Sequence, residues 1–295
     1  MGKALADKLP VAASVFEDAD RALGMRLTSL CFEGPDEELR LTANTQPAIL
    51  TTCIAALRAL EATGVKADYV AGHSLGEYSA LVAAGAISFA DALPLVRFRA
   101  QAMQEAVPVG QGAMAAILGL DAATVVAGCA QAATETGEAV QAANFNDPKQ
   151  TVIAGTKAGV DRACELLKTA GAKRALLLAV SAPFHSALMK PAAERLRERL
   201  ATIALAAPSV PVIDNIDVKR ESDPALIRDA LYRQAFGPVR WAETIQAIRA
   251  GGIGHIFECG PGKVLAGMVT RIEPDAVAAA VFDPASLAAA AAVLQ

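Results

Sequence analysis

In Ala71-Gly72-His73-Ser74-Leu75-Gly76-Glu77-Tyr78 a serine stands between two glycines at the end of a short apolar run. A nucleophile elbow sets its serine on a sharp strand-to-helix turn, where small flanking residues allow strained backbone and the helix N-terminus favours developing negative charge. Gly72, Ser74 and Gly76 meet that requirement. A bare Gly-x-Ser-x-Gly describes a helix N-cap equally well. Here "ADYVAGHS" reads as a buried strand and "LGEYSALVAAGA" as a small-residue helix, and that order favours a nucleophile over a cap.

A serine hydroxyl needs a base to take its proton, and the chain has three histidines. His73 neighbours the serine on the turn and should point elsewhere, as a packing or backbone-bonding group. His255 opens an apolar strand pattern, which suits a core or edge histidine. His185, in the loop "SAPFHS", is left as the base by elimination. An acid to hold its ring would come from Asp91, Asp121, Asp147 or Asp161, yet these read as helix-start, turn or surface residues. An amide or a backbone carbonyl is the alternative orienter. Arg97 and Arg99 lie two apart on the next helix, so at most one faces the serine. An arginine there suits a substrate carboxylate, although spacing alone describes a solvated helix face. "GPGKVLAGM" lacks phosphate-loop spacing and reads as structural.

The elements around these residues follow an α/β pattern. Helical spacing covers 2–24 and 45–63, and a helix over 88–106 starts at Ser88 as N-cap. From Gly112 the chain reads strand "AMAAILGL", helix 121–135, strand "AVQAANF", strand "QTVIAGT", helix 158–170 and strand "RALLLAV". That β-α-β-β-α-β order predicts a ferredoxin-like insert over 109–180. Its host is then discontinuous, 1–108 and 181–295, with strand "VPVIDNIDV", helices 224–236 and 241–250, strand "HIFECG" and helix 263–272.

Composition narrows the function classes. The 295 residues are 54% hydrophobic but 4% aromatic, an alanine excess that favours closely packed helices. With 27 basic and 31 acidic residues, net charge −4 and no run of like charge, nucleic acid is not expected as a partner. Five scattered cysteines with no C-x-x-C pair argue against a disulfide framework and against a zinc site, so no metal is expected and the cytoplasm is the expected setting. The N-terminal stretch is broken by Asp7, Lys8 and Pro10, and the alanine-rich tail by Asp283 and Pro284. Neither reads as a signal peptide or a membrane segment, and no membrane partner is expected.

Taken in order, "NTQPAIL", "GHSLGEYSALVAAG", "LVRFRAQAMQEAVP", "GAMAAILGL", "NFNDPKQTVIAG", "GAKRALLLAVSAPFHSALMKPA", "RQAFGPVRW" and "GPGKVLAGM" span essentially the whole chain. This set resembles the malonyl-CoA:acyl carrier protein transacylase family. The resemblance implies an α/β-hydrolase-like large domain with a ferredoxin-like insert. It implies a transferase with no cofactor, whose partners are malonyl-CoA and holo acyl carrier protein and whose pathway is fatty acid biosynthesis. Ser74 would carry the malonyl group, His185 would be general base and acid, and Gln234 would supply the carbonyl that orients it. Arg99 would bind the malonyl carboxylate, Leu75 would donate an oxyanion N–H, and Gln46, Met103 and Met114 would lie near the acyl pocket. Leu75 and "PFH" resemble the malonyl-selecting subtype, with Phe184 filling the space of an extra methyl, a group worth about 1–3 kcal/mol in such a pocket.

The other function classes are a serine esterase or thioesterase, which would need no arginine at the serine, and an impaired acyltransferase that still binds carrier protein. The last arises because the family opens with a strand and a loop of type P-G-Q-G-S-Q, whose first glutamine gives a second oxyanion donor. Met1-Gly2-Lys3 matches the helix after that loop. The expectation is a shortened sheet with exposed neighbours and one oxyanion donor fewer, a change of about 10²–10³ in rate, unless the true start lies upstream.

Overall fold

Pro10 divides the first helical stretch. Having no N–H to donate, it begins a helix rather than continuing one, so α1 (Lys3–Ala6) ends and α2 (Pro10–Leu23) starts anew. The computed structural model describes residues 1–108 and 110–293. Two short helices, α3 (Leu27–Glu33) and α4 (Asp36–Leu39), lead into α5 (Thr42–Glu61). Leu50, Ile54, Ala55, Ala56 and Ala59 of α5 are buried in the main core, packed against α2 and a helix later in the chain. Small side chains at these contacts let the helices approach closely.

The strand before the serine is shorter than its apolar run predicts. Only β1 (Val70–Ala71) has strand geometry, and it leads to α6 (Gly76–Ala83) and α7 (Phe89–Glu105), the latter capped by Ser88 as expected. Then come β2 (Gly112–Leu118), α8 (Ala122–Thr136), β3 (Val140–Asp147), β4 (Gln150–Thr156), α9 (Lys157–Thr169) and β5 (Arg174–Leu177). They form one antiparallel sheet in the order β3-β4-β2-β5. Val109, where the sequence reading starts this unit, lies outside the described residues, as do Leu294 and Gln295.

Strand alternation in β2 gives its sheet two apolar faces. Ala115 and Ile117 pack with Val125, Cys129, Val160 and Leu167 of the two helices, while Met114 and Ala116 face a second small cluster that includes Phe184. That second face carries the sheet onto the serine's cleft.

The return to the first unit runs through a loop, a single 3₁₀ turn at Ala187–Met189 and α10 (Lys190–Ala201). After β6 (Val212–Ile213) come α11 (Pro224–Gln234), α12 (Trp241–Ala250), β7 (His255–Cys259) and α13 (Val264–Ile272). The chain continues with β8 (Val277–Val281) and α14 (Pro284–Ala292). The last two have no counterpart in the sequence reading. β8 is "VAAAV", alanine where β-branched signals are sought. Asp283 and Pro284, read as an interruption, are the N-cap and first residue of α14.

Parallel pairs β1–β6 and β7–β8 form two separate two-stranded sheets. Residues of β1 and β7 both line a cavity of ≈1190 Å³ that reaches Ser74. Among the described residues no helix is long and apolar enough to cross a membrane.

Candidate active site

Ser74 sits at φ 53°, in the left-handed region, on the turn between β1 and α6. A non-glycine residue held there stores about 1–3 kcal/mol of strain, so the surroundings must over-determine it. Part of that constraint is close approach. A Cβ at residue 72 would lie 1.9 Å from the backbone carbon and oxygen of Gly76, so Gly72 is sterically required. Gly76 has open space around it and is not, which corrects the symmetric reading of the motif.

The structure places His185, the histidine left by elimination, beside the serine. Ser74 Oγ lies 2.6 Å from His185 Nε2, and His185 Nδ1 donates to the Gln234 carbonyl at 2.9 Å. A carbonyl only accepts, so Nδ1 carries the proton and Nε2 presents a lone pair to the serine hydroxyl. Burial, with the nearby Arg99 charge second, lowers the His185 pKa to about 3, so the ring is neutral across physiological pH. The histidine loop is pinned to the inserted sheet. Gln141 accepts from the Ala187 N–H at 2.9 Å, and Pro183 packs so tightly on Gly112 that a Cβ there would lie 2.4 Å from its Cδ.

Arg99 is 2% exposed and reaches the serine from α7. Nη1 donates to Gln46 Oε1 at 2.7 Å, and Nη2 to Ser74 Oγ at 3.1 Å and Gln234 Oε1 at 3.0 Å. Its Nε has no partner among the described residues. Among the described residues no carboxylate pairs with this buried cation, which leaves a positive charge at the nucleophile for an anionic group to meet. Arg97, half-buried, does not line the cavity.

Leu75, Gln46, Met103, Met114 and Phe184 all line the same cavity as Ser74, His185 and Arg99, while Gln234 lies behind it, fully buried. The Leu75 N–H has no acceptor among the described residues. It sits at the start of α6, where a helix presents free donors.

Among the described residues the remaining candidates make no hydrogen bond to Ser74, although His73 and His255 line its cavity. His73 bonds Asn146 Oδ1 through Nε2 at 2.9 Å and packs on Trp241, while His255 is exposed on β7. Asp91 and Asp121 are helix-start residues, bonded to Ser88 and Thr124 respectively. Asp147 is paired with Arg271, and Asp161 with Lys157. In the Gly260-Pro261-Gly262 turn the Glu258 carboxylate accepts from the Ala266 N–H at 2.8 Å, so it occupies the α13 start that a phosphate would need.

Sequence reasoning missed Asn215. Its Oδ1 accepts from the Ser74 N–H at 2.7 Å and its Nδ2 donates to the Gly72 carbonyl at 2.7 Å, bracketing the elbow. Nothing in "VIDNIDV" distinguishes it from a turn asparagine, since its partners are more than 140 residues away.

Residues 1–279 match the acyl transferase domain family. The malonyl CoA-acyl carrier protein transacylase of Escherichia coli K12 is 51% identical over 287 residues, 97% of this chain and 92% of that protein. The crystal structure of an acyl-carrier-protein S-malonyltransferase from Burkholderia pseudomallei superposes with a TM-score of 0.95 at 58% identity, covering 97% of this chain and 93% of that one. A malonyl-transacylase solved in complex with a type II polyketide-synthase acyl carrier protein superposes with a TM-score of 0.96 at 49% identity, covering 99% and 94%.

Proposed function

The chain belongs to the acyl transferase domain family, and from that premise we propose the course of its reaction: malonyl-CoA acylates Ser74, and the resulting ester passes its malonyl group to the phosphopantetheine thiol of acyl carrier protein. The chain is an acyltransferase of the kind that supplies malonyl units for fatty acid biosynthesis. The observation that carries the proposal is the unbroken line from Ser74 Oγ through His185 to the Gln234 carbonyl, with the buried Arg99 cation donating to Ser74 Oγ.

In the first half-reaction Ser74 Oγ attacks the thioester carbonyl carbon while His185 Nε2 takes the hydroxyl proton. The tetrahedral oxyanion is met by the Leu75 N–H and the N-terminus of α6. As it collapses, the C–S bond breaks and His185 returns the proton to the departing coenzyme A sulfur. The second half-reaction runs in reverse, with the carrier thiol as the nucleophile and Ser74 as the leaving group. Gln234 holds the tautomer that both halves need. Arg99 binds the free carboxylate of the malonyl group. That pairing offsets the Arg99 charge, which after burial is the second cause of the lowered His185 pKa.

The finer reading of the fold is a hydrolase-like unit, 1–108 and 181–295, carrying a ferredoxin-like insert. The sheet order β3-β4-β2-β5 supports the insert. Five free cysteines support a reducing, cytoplasmic setting.

Arg99 separates this function from that of a serine esterase, which has no use for a cation beside its nucleophile. Arg99→Ala should lower kcat/KM for malonyl-CoA by about 10²-fold, the loss expected for charge-assisted bonds to a carboxylate. Cleavage of p-nitrophenyl acetate by the same variant should fall at least about tenfold less, since that ester offers the cation no carboxylate and loses only the Arg99 bonds to Ser74 Oγ and Gln234. Equal losses on both substrates would contradict carboxylate recognition.

A further inference from the structure

Glu77, three residues after the serine, is 2% exposed and takes no part in the steps above. The spacing Ser74-Leu75-Gly76-Glu77 has the form of a capping box, in which a serine and a glutamate bond each other's backbone. The structure does not use it so: α6 starts from Leu75 with no side-chain cap bond. Instead Glu77 Oε2 accepts from the backbone N–H of Asn215 at 3.0 Å and from Gln234 Nε2 at 2.9 Å. These two partners hold opposite halves of the site. Asn215 brackets the elbow through the Gly72 carbonyl and the Ser74 N–H. Gln234 donates to the Ser74 carbonyl at 2.9 Å and orients His185 through its own backbone carbonyl. Asn215 and Gln234 are both fully buried, so no water can replace a lost partner without rearrangement.

We propose that Glu77 is a positioning residue for acylation: one carboxylate oxygen fixes Asn215 and Gln234 relative to each other, and through them sets the distance from nucleophile to base. The inference rests on Ser74 as the acylated residue. The strained φ of Ser74 gives the tie its purpose, because an elbow stored in the left-handed region relaxes when its brackets loosen. Burial raises the Glu77 pKa to about 8, so the carboxyl is largely neutral at pH 7, and its oxygen accepts both bonds in that form too. A glutamine amide offers the same acceptor oxygen.

The test compares Glu77→Ala, Glu77→Gln and Glu77→Asp with the parent in malonyl transfer, resolving kcat from KM, with melting temperature as the control for folding. Misplacement by about 1 Å costs on the order of 10²-fold in a reacting geometry, so Glu77→Ala should lose about 10–10²-fold in kcat with KM within about twofold. Glu77→Gln should keep kcat within about threefold of the parent. A folded Glu77→Ala with parental kcat, or a folded Glu77→Gln as slow as the alanine variant, overturns the proposal. If Glu77→Ala does not fold, Glu77→Asp decides, since it keeps a carboxylate but draws it back by one methylene from the Asn215 N–H and Gln234 Nε2: a kcat loss at unchanged KM upholds the tie, and parental kcat overturns it. Failure of the parent itself to take up malonyl would instead overturn the assignment of Ser74.

Discussion

Ser74→Ala is expected to abolish covalent loading and to lower malonyl transfer by about 10⁴–10⁶-fold, the scale on which removing an activated serine acts in related chemistry. The change is local. Ser74 Oγ bonds His185 and Arg99, whereas the backbone of residue 74 keeps its bonds to Asn215 and Gln234. Melting temperature should therefore shift by no more than a few degrees, which corresponds to about 1 kcal/mol in a chain of this size. Residual transfer above about a tenth of the parent rate, a loss under about 1.4 kcal/mol, would contradict Ser74 as the acyl carrier.

His185→Ala should cost about 10⁴-fold or more in kcat, because in the proposed course the same ring acts as base and then as acid within each half-reaction. Its environment adds a pH signature. Because burial and Arg99 hold the free-enzyme ring at a pKa of about 3, the base form persists well below the pH at which an ordinary histidine protonates. The pH profile of kcat/KM for malonyl-CoA should stay nearly flat from about pH 7 down to about pH 5, with any acid limb lying below that range. A midpoint near 6.5 would show an unperturbed imidazole and contradict the buried geometry. Stability carries the opposite marker. The unfolded histidine takes a proton near its ordinary value and the folded one does not, so this group's contribution is fully present above about pH 6.5 and is lost as the pH falls towards about 3.

How much of this was legible beforehand depended on how local each signal was. Ser74 and the strand-to-helix order around it are written in adjacent residues, as are the β-α-β-β-α-β elements, and these agree with the coordinates to within a few residues. His185 could be reached because three histidines leave few choices. Gln234 as orienter, and Arg99 as the arginine turned inward, came through the family resemblance, since spacing alone described a solvated helix face for the latter. Strand lengths around the cavity were overestimated: "ADYVAGHS" and "VPVIDNIDV" each yield two paired residues. An apolar run reports burial, but pairing depends on a neighbouring chain that the run does not encode. β8 escaped because alanine carries no strand preference, and Asn215 and Glu77 escaped because their partners are distant in sequence. Long-range polar contacts leave no periodicity to read.

Intact-mass measurement of the parent chain, mixed with malonyl-CoA and then given holo acyl carrier protein, tests the central claim most directly. One malonyl group should appear on the protein, map to the peptide that contains Ser74, and leave when the carrier thiol is added, with malonyl recovered on the carrier. Transfer to the carrier with no intermediate adduct, or an adduct mapping elsewhere than Ser74, would contradict an acyl-serine mechanism.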